Sequence, residues 1–278
     1  MKRILSIAVI SVIASANTLS FFGGGISYKK SIKKYGNFAG LYFTNYKKNS
    51  SSFFELNYKK LFINYKKTFN NYSSNKLSIV LNQKFSSSLF NIMPYVSYSG
   101  IWEKQYNKNF SKVYNLGARF FNVNTNLIFN PSIYYSCYKD FNVIQPTFSI
   151  GYYYYPNLID NDIGYFYIQG NVNYIKFTKR GVMPKNSYKN YDISITNFYK
   201  NLQTTIKGSF GKFAYKNENK GFITYNFKEE YKYEYNIDVM GKINNKYFVG
   251  INFDYLKLTK NYNNAETLTG YVYIGKRF

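Results

Sequence analysis

Apolar and polar residues take alternate positions through one segment after another of this chain, and that two-residue period constrains the fold before any motif is considered. Between Tyr231 and Ile243, the residues Tyr231, Tyr233, Tyr235, Ile237, Val239 and Ile243 share one parity, and Lys232, Glu234, Asn236, Asp238 and Lys242 share the other. In an extended chain the two sets fall on opposite faces. The same parity runs back through Ile223, Tyr225 and Phe227, which predicts one long strand over 223–243. Leu202, Ile206 and Phe210 alternate with Gln203, Thr205, Lys207 and Ser209, and Val249, Ile251, Phe253 and Tyr255 with Gly250, Asn252 and Asp254. No 3.6-residue apolar period is sustained, so the chain reads as all-β.

The polar faces of these segments carry mainly amides and hydroxyls, and the apolar faces are nearly free of charge. A soluble sandwich alternates too, but its strands average about five or six residues, whereas a tilted membrane strand needs about nine to eleven. The segments here reach the longer class. Aromatic residues gather near their ends, at Tyr152–Tyr155 and Tyr231–Tyr235, where interfacial girdles belong. A bilayer offers no water to unpaired backbone groups, so strands cross it only as a closed barrel. The pattern predicts a transmembrane antiparallel up-and-down β-barrel.

Residues 1–16 read as a secretory signal, with Lys2 and Arg3 ahead of the apolar run Ile4–Ile13 and the small-residue cleavage site Ala14-Ser15-Ala16. Residues 17–35, including Gly23-Gly24-Gly25, read as a flexible N-terminal tether or a short first strand, and 36–278 as the barrel. Short connections are expected near Phe85–Ser88, Asn122–Asn126, Tyr199–Asn201 and Asn244–Lys246, and longer ones near Phe69–Lys76, Glu103–Lys112, Thr178–Tyr188, Tyr215–Lys220 and Leu258–Glu266. Short and long connections mostly alternate, as they do between the two rims of a barrel. Strands are expected to begin near residues 36, 52, 60, 76, 89, 112, 127, 143, 163, 188, 202, 221, 247 and 267. Because Phe53–Tyr58 and Leu61–Phe69 are the weakest of these, the expectation is about 12–14 strands.

Composition removes whole classes of function. There is no histidine in 278 residues, so Ser–His and Cys–His nucleophiles and His-ligated zinc are excluded. The single Cys137 has no disulfide partner and reads as a small apolar side chain. No cofactor and no enzymatic activity are expected. The charge is strongly basic, 37 Lys plus Arg against 13 Asp plus Glu, but it is spread over every loop rather than gathered in one patch. Export and that dispersion argue against nucleic-acid binding. Lys, Asn, Tyr, Ile and Phe are all abundant, which a coding bias alone would produce.

With the signal segment and the alternating strands stands the end of the chain, Gly270-Tyr271-Val272-Tyr273-Ile274-Gly275-Lys276-Arg277-Phe278. Together they resemble bacterial outer-membrane β-barrel proteins, porin-like in pattern. The resemblance implies that Val272, Ile274 and Phe278 serve as the signal read by the barrel-assembly machinery. Lys276 departs from it, standing where an aromatic residue is usual. The same resemblance implies an outer-membrane location among lipid and lipopolysaccharide. A monomer is favoured.

Giving the polar parity to the lumen turns Lys66, Lys84, Arg119, Lys207, Lys232, Lys242 and Arg277 inward, opposed by Glu55, Asp192, Glu234, Asp238 and Asp254. Glu234 and Asp238, flanked by Lys232 and Lys242, read as a salt-bridge network. Arg119, with Gly117 on the same face, reads as a constriction residue or as a paired ladder arginine. A slightly positive lumen favours anions. The function expected is passive diffusion of small hydrophilic solutes with some anion preference. The alternative is a closed barrel acting as an adhesin or envelope-structuring protein through lysine- and aromatic-rich outer loops, among them 179–187 and 216–220.

Overall fold

Alternation becomes a closed cylinder in the structure, a computed structural model that describes residues 18–45, 52–66, 70–87, 89–104, 108–122, 124–156, 163–225 and 227–278. The expected signal segment, residues 1–16, lies outside the described residues. Fourteen long strands make up the wall. They are β1 (Thr18–Lys29), β2 (Lys33–Asn45), β3 (Ser52–Tyr65), β4 (Tyr72–Gln83), β5 (Phe90–Lys104), β6 (Lys108–Asn122) and β7 (Leu127–Cys137). After them come β8 (Asn142–Tyr154), β9 (Tyr165–Phe177), β10 (Ser187–Tyr199), β11 (Leu202–Phe213), β12 (Tyr231–Lys242), β13 (Tyr247–Leu258) and β14 (Glu266–Arg277). Each pairs antiparallel with its chain neighbour. Closure comes from β1 on β14, in register from Thr18↔Arg277 to Lys29↔Glu266. With no open edge, every wall strand has its backbone partners.

The barrel is built inside out. Ile195, Ile206, Ile237 and Phe253 pair across β10 to β13 in one outward row, and all four are exposed. Facing the interior, Ser78, Ser99, Ser136, Gln145, Asn190 and Ser209 are fully buried. Buried polar groups are tolerable only when hydrogen-bonded, and these have partners: Ser99 Oγ donates to Ser78 Oγ at 2.7 Å, and Asn190 Nδ2 to the Phe210 carbonyl at 2.8 Å.

Both β1 and β14 meet one rim, here called the terminal rim, with the connections after β2, β4, β6, β8, β10 and β12. The opposite loop rim carries the rest. Asn244 closes the β12–β13 turn with its side chain, Oδ1 accepting from the backbone N–H groups of Lys246 at 2.8 Å and Tyr247 at 2.9 Å.

Three expectations are corrected. The barrel begins at Thr18 rather than 36, because residues 18–29 form a full strand paired on both edges. The two strands expected from 52 and 60 are one, Ser52–Tyr65. Most consequentially, the strand expected over 223–243 exists only from Tyr231. A bulge at Tyr231–Tyr233 shifts the register there. It leaves Tyr231 buried toward the interior, Tyr235 outside and Lys232 exposed at the loop rim, so Lys232 is not a lumen residue.

Candidate functional site

What precedes β12 turns into the barrel. After β11, Ala214 and Tyr215 are buried, and Asn217–Glu218 pair with Ile223–Thr224 as a miniature hairpin inside the lumen. Its tip is a left-handed run, Asn219, Lys220 and Gly221, with φ of 47, 56 and 86°. Left-handed backbone at non-glycine residues is costly and persists only where the surroundings hold it. Here the wall supplies the hold. Lys76 Nζ donates to the carbonyls of Gly221 at 2.5 Å and Phe222 at 3.1 Å, and Ser97 Oγ donates to the Lys220 carbonyl at 2.6 Å. On the other side Gln145 exchanges two 2.8 Å hydrogen bonds with the backbone of Asn217.

Ion pairs fix the same segment. Lys216, fully buried, lies 2.6 Å from Asp192 of β10 and 2.6 Å from Glu218. Lys207 of β11 pairs with Glu218 and stands 3.5 Å from Glu234. Lys220 reaches Glu55 of β3 at 2.5 Å, and Glu229 is held by Lys33 of β2 at 2.6 Å. Glu230 accepts from Tyr188 Oη at 2.7 Å and from Lys212 at 3.0 Å. Burial alone would raise the Glu218 carboxyl, but the Lys207 and Lys216 ammonium groups outweigh it and hold the group down to about 2.

Residues 214–225 and 227–230 thus form a bar across the lumen. Beneath it, toward the terminal rim, lies a cavity of about 470 Å³ walled by β4 to β11. A second cavity of about 680 Å³ passes the bar on its other side, along β1 to β4 and β12 to β14. Its lining runs from Tyr28 and Lys33 at the loop rim to Ser20, Tyr42 and Tyr273 near the terminal rim. Over the rest of the loop-rim mouth sits an aromatic lid, in which Phe213 stacks on Tyr231 at 5.1 Å and Phe141 meets Tyr215 edge-on at 5.1 Å.

Of the residues placed in the lumen by parity, Arg119, Asp192 and Lys207 line the smaller cavity, and Glu55, Glu234, Asp238 and Asp254 line the larger. Arg119 makes no ion pair among the described residues, so it is not a paired ladder arginine. Glu234 pairs with Lys207, and Asp238 accepts from Tyr273 Oη at 3.0 Å, so the expected network with Lys232 and Lys242 does not form. Lys66 is corrected: with β3 continuous and Glu55 inward, position 66 has the other parity and lies exposed beyond the strand end. Lys84, Lys242 and Arg277 sit at the terminal rim, Lys84 half-buried just beyond β4 and the other two exposed at the ends of β12 and β14. Val272, Ile274 and Phe278 are exposed on the outside.

The sequence reading missed Lys216, Glu218 and Lys220 as lumen groups, and Lys33, Lys59 and Lys76 as wall cations. One signal was available. In a chain with only 13 acidic residues, Glu218, Glu229 and Glu230 fall in a single connection. Segment 216–220, expected on the outer surface as part of an adhesive face, lies inside the barrel.

No protein-family model matches the chain, and no curated protein matches it in sequence. Solved structures do. The Acinetobacter baumannii outer membrane protein Omp33 aligns over 95% of this chain and 99% of its own, with a TM-score of 0.51 and 12% identity. The Pseudomonas putida toluene transporter TodX aligns over 95% of this chain and 90% of its own, with a TM-score of 0.56 and 6% identity. The chain has the closed β-barrel fold of these bacterial outer-membrane proteins. At these identities the likeness is one of fold, and the bar and its ion pairs stand on this chain's own residues.

Proposed function

We propose that the protein is an outer-membrane channel for passive diffusion of small hydrophilic solutes, narrowed by this bar and mildly anion-preferring. The observation that carries this reading is the larger cavity, whose lining extends from one rim to the other past the bar. A barrel meant to be closed would need no such corridor. Fold likeness to the toluene transporter TodX supports a transport role and gives no support to a catalytic one. The terminal rim, opposite the long 214–230 connection, would face the periplasm.

The anion preference rests on the lumen groups that make no ion pair among the described residues: Arg119, Lys59 and Lys76 against Asp238 and Asp254. The test is single-channel current from the refolded protein in a planar bilayer under a potassium chloride gradient. Small stepwise currents with a reversal potential displaced toward chloride are expected. Silence from folded, inserted protein sinks the channel reading, and a cation-selective potential removes the anion preference alone. The adhesin alternative is weakened because 216–220 is not on the surface.

A further inference from the structure

We propose that the smaller cavity is a binding subsite for a sugar acid, a hydroxylated monocarboxylate of about hexuronate size. This deepens the channel reading by naming a solute class for one chamber. Its volume of about 470 Å³ falls within the roughly 300–1,000 Å³ of small-molecule sites.

The pattern of ion pairs selects the anion. Asp192 is matched by Lys216, Lys207 by Glu218 and Glu234, and Lys220 by Glu55. Arg119 alone among the charged residues lining this cavity has no ion-pair partner among the described residues. A guanidinium presents a planar fork of donors that a carboxylate meets with two parallel hydrogen bonds. The one guanidinium left outside the ion pairs matches one carboxylate. A phosphate monoester, at about −1.5 to −2, would leave negative charge unpaired in a confined site.

The rest of the lining suits hydroxyl groups and a sugar ring. Asn130, Gln169 and Asn171 are chained to tyrosine hydroxyls: Tyr95 Oη donates to Asn130 Oδ1 at 3.2 Å, Tyr167 Oη to Gln169 Oε1 at 3.0 Å, and Gln169 Nε2 to Asn171 Oδ1 at 2.7 Å. Pinning the amide oxygens this way leaves amide N–H groups to donate. Asn217 lines the same cavity from the bar. It is 1% exposed, and its Oδ1 has no hydrogen-bond partner among the described residues. A buried unmatched acceptor calls for a donor, which a sugar hydroxyl supplies. Tyr167 lies flat over Gly151, where a Cβ would come within 2.3 Å of its hydroxyl, and Tyr95 lies over Gly117, where a Cβ would come within 2.5 Å of its ring. These glycines let two aromatic rings lie against the wall instead of filling the chamber.

The experiment is isothermal titration calorimetry on the refolded, detergent-solubilised protein with glucuronate, glucose and acetate, repeated on Arg119→Gln. Glucuronate is expected to bind most tightly. Glucose lacks the charge and acetate lacks the hydroxyls, so each should bind roughly tenfold or more weakly. Arg119→Gln should lose roughly ten- to a hundred-fold in glucuronate affinity and none for glucose. Glucose or acetate binding as well as glucuronate, or an Arg119→Gln variant with unchanged affinity, overturns the proposal. Binding is read without conduction, so a silent channel that binds glucuronate defeats the channel reading alone. A conducting channel that does not bind it defeats the subsite alone.

Discussion

Lys216 and Asp192 lie 2.6 Å apart with essentially no contact with solvent, and they join the bar to the strand wall at a distance of 24 residues along the chain. Asp192 also accepts from Ser209 Oγ at 2.5 Å and, through Oδ2, from Asn173 Nδ2 at 2.8 Å. The pair therefore sits in a satisfied network, the condition under which a buried ion pair is tolerable.

Removing the cation alone breaks that condition. Lys216→Ala leaves Asp192 and Glu218 each short of an ion partner, a change that costs about 3–5 kcal/mol in buried settings. The cost falls on docking of the bar, because the barrel wall keeps its backbone ladder. Larger and noisier single-channel currents are expected, with the variant still inserted and heat-modifiable on gels. Lys257→Ala, which breaks the Lys257–Glu266 pair between neighbouring strands at the loop rim, should leave the current unchanged. Equal currents from wild type and Lys216→Ala would show that the bar does not limit flow.

Acid acts on the same bar with a definite sign. Glu218 is held at about 2 against an ordinary value of 4.5, so the folded state favours its charged form. The stabilisation is complete above about pH 4.5, declines as the pH falls through the folded value, and is gone below it. Its size is about 3 kcal/mol. Currents are expected to hold constant from pH 7 to about 5 and to rise toward pH 2 as the bar loosens. Glu218→Gln should show the loosened behaviour already at pH 7, with this acid-dependent rise abolished. A rise that persists unchanged in Glu218→Gln would assign it to another group.

The wall was legible in the sequence because each of its strands has two different solvents, hydrocarbon outside and polar lumen inside, and a period of two records that contrast. Ile206 and Ser209 show it on one strand, the first exposed outside and the second bonded to Asp192 and Glu234. The bar was misread for the same reason. Tyr225 meets Phe213 at 5.3 Å and Phe227 meets Tyr72 at 5.1 Å, so alternate residues of 223–227 also pack apolar surfaces and imitate a strand running into β12. The first strand reads as no more than a tether or a short strand for the opposite reason. A Cβ at Gly24 would come within 2.2 Å of the Gly270 carbonyl oxygen, so glycine stands at a position where alternation would otherwise be visible. Tertiary charge pairing, such as Lys216 with Asp192, leaves no periodic trace at all.

The inside–outside assignment makes a final, separable prediction. Ile206 lies within the outward row with Ile195 and Ile237 on either side. An Arg there would face hydrocarbon, with a cost of about 2–4 kcal/mol near the midplane. Ser209→Leu acts by another route: it removes a hydroxyl that bonds Asp192 and Glu234 and crowds a fully buried site, leaving the lipid face intact. Urea titrations of the protein folded into vesicles should show Ile206→Arg lowering both insertion yield and folding free energy. Ser209→Leu should insert normally and alter the current. If instead Ile206→Arg inserts like wild type while Ser209→Leu fails to insert, the face taken for lipid is the lumen.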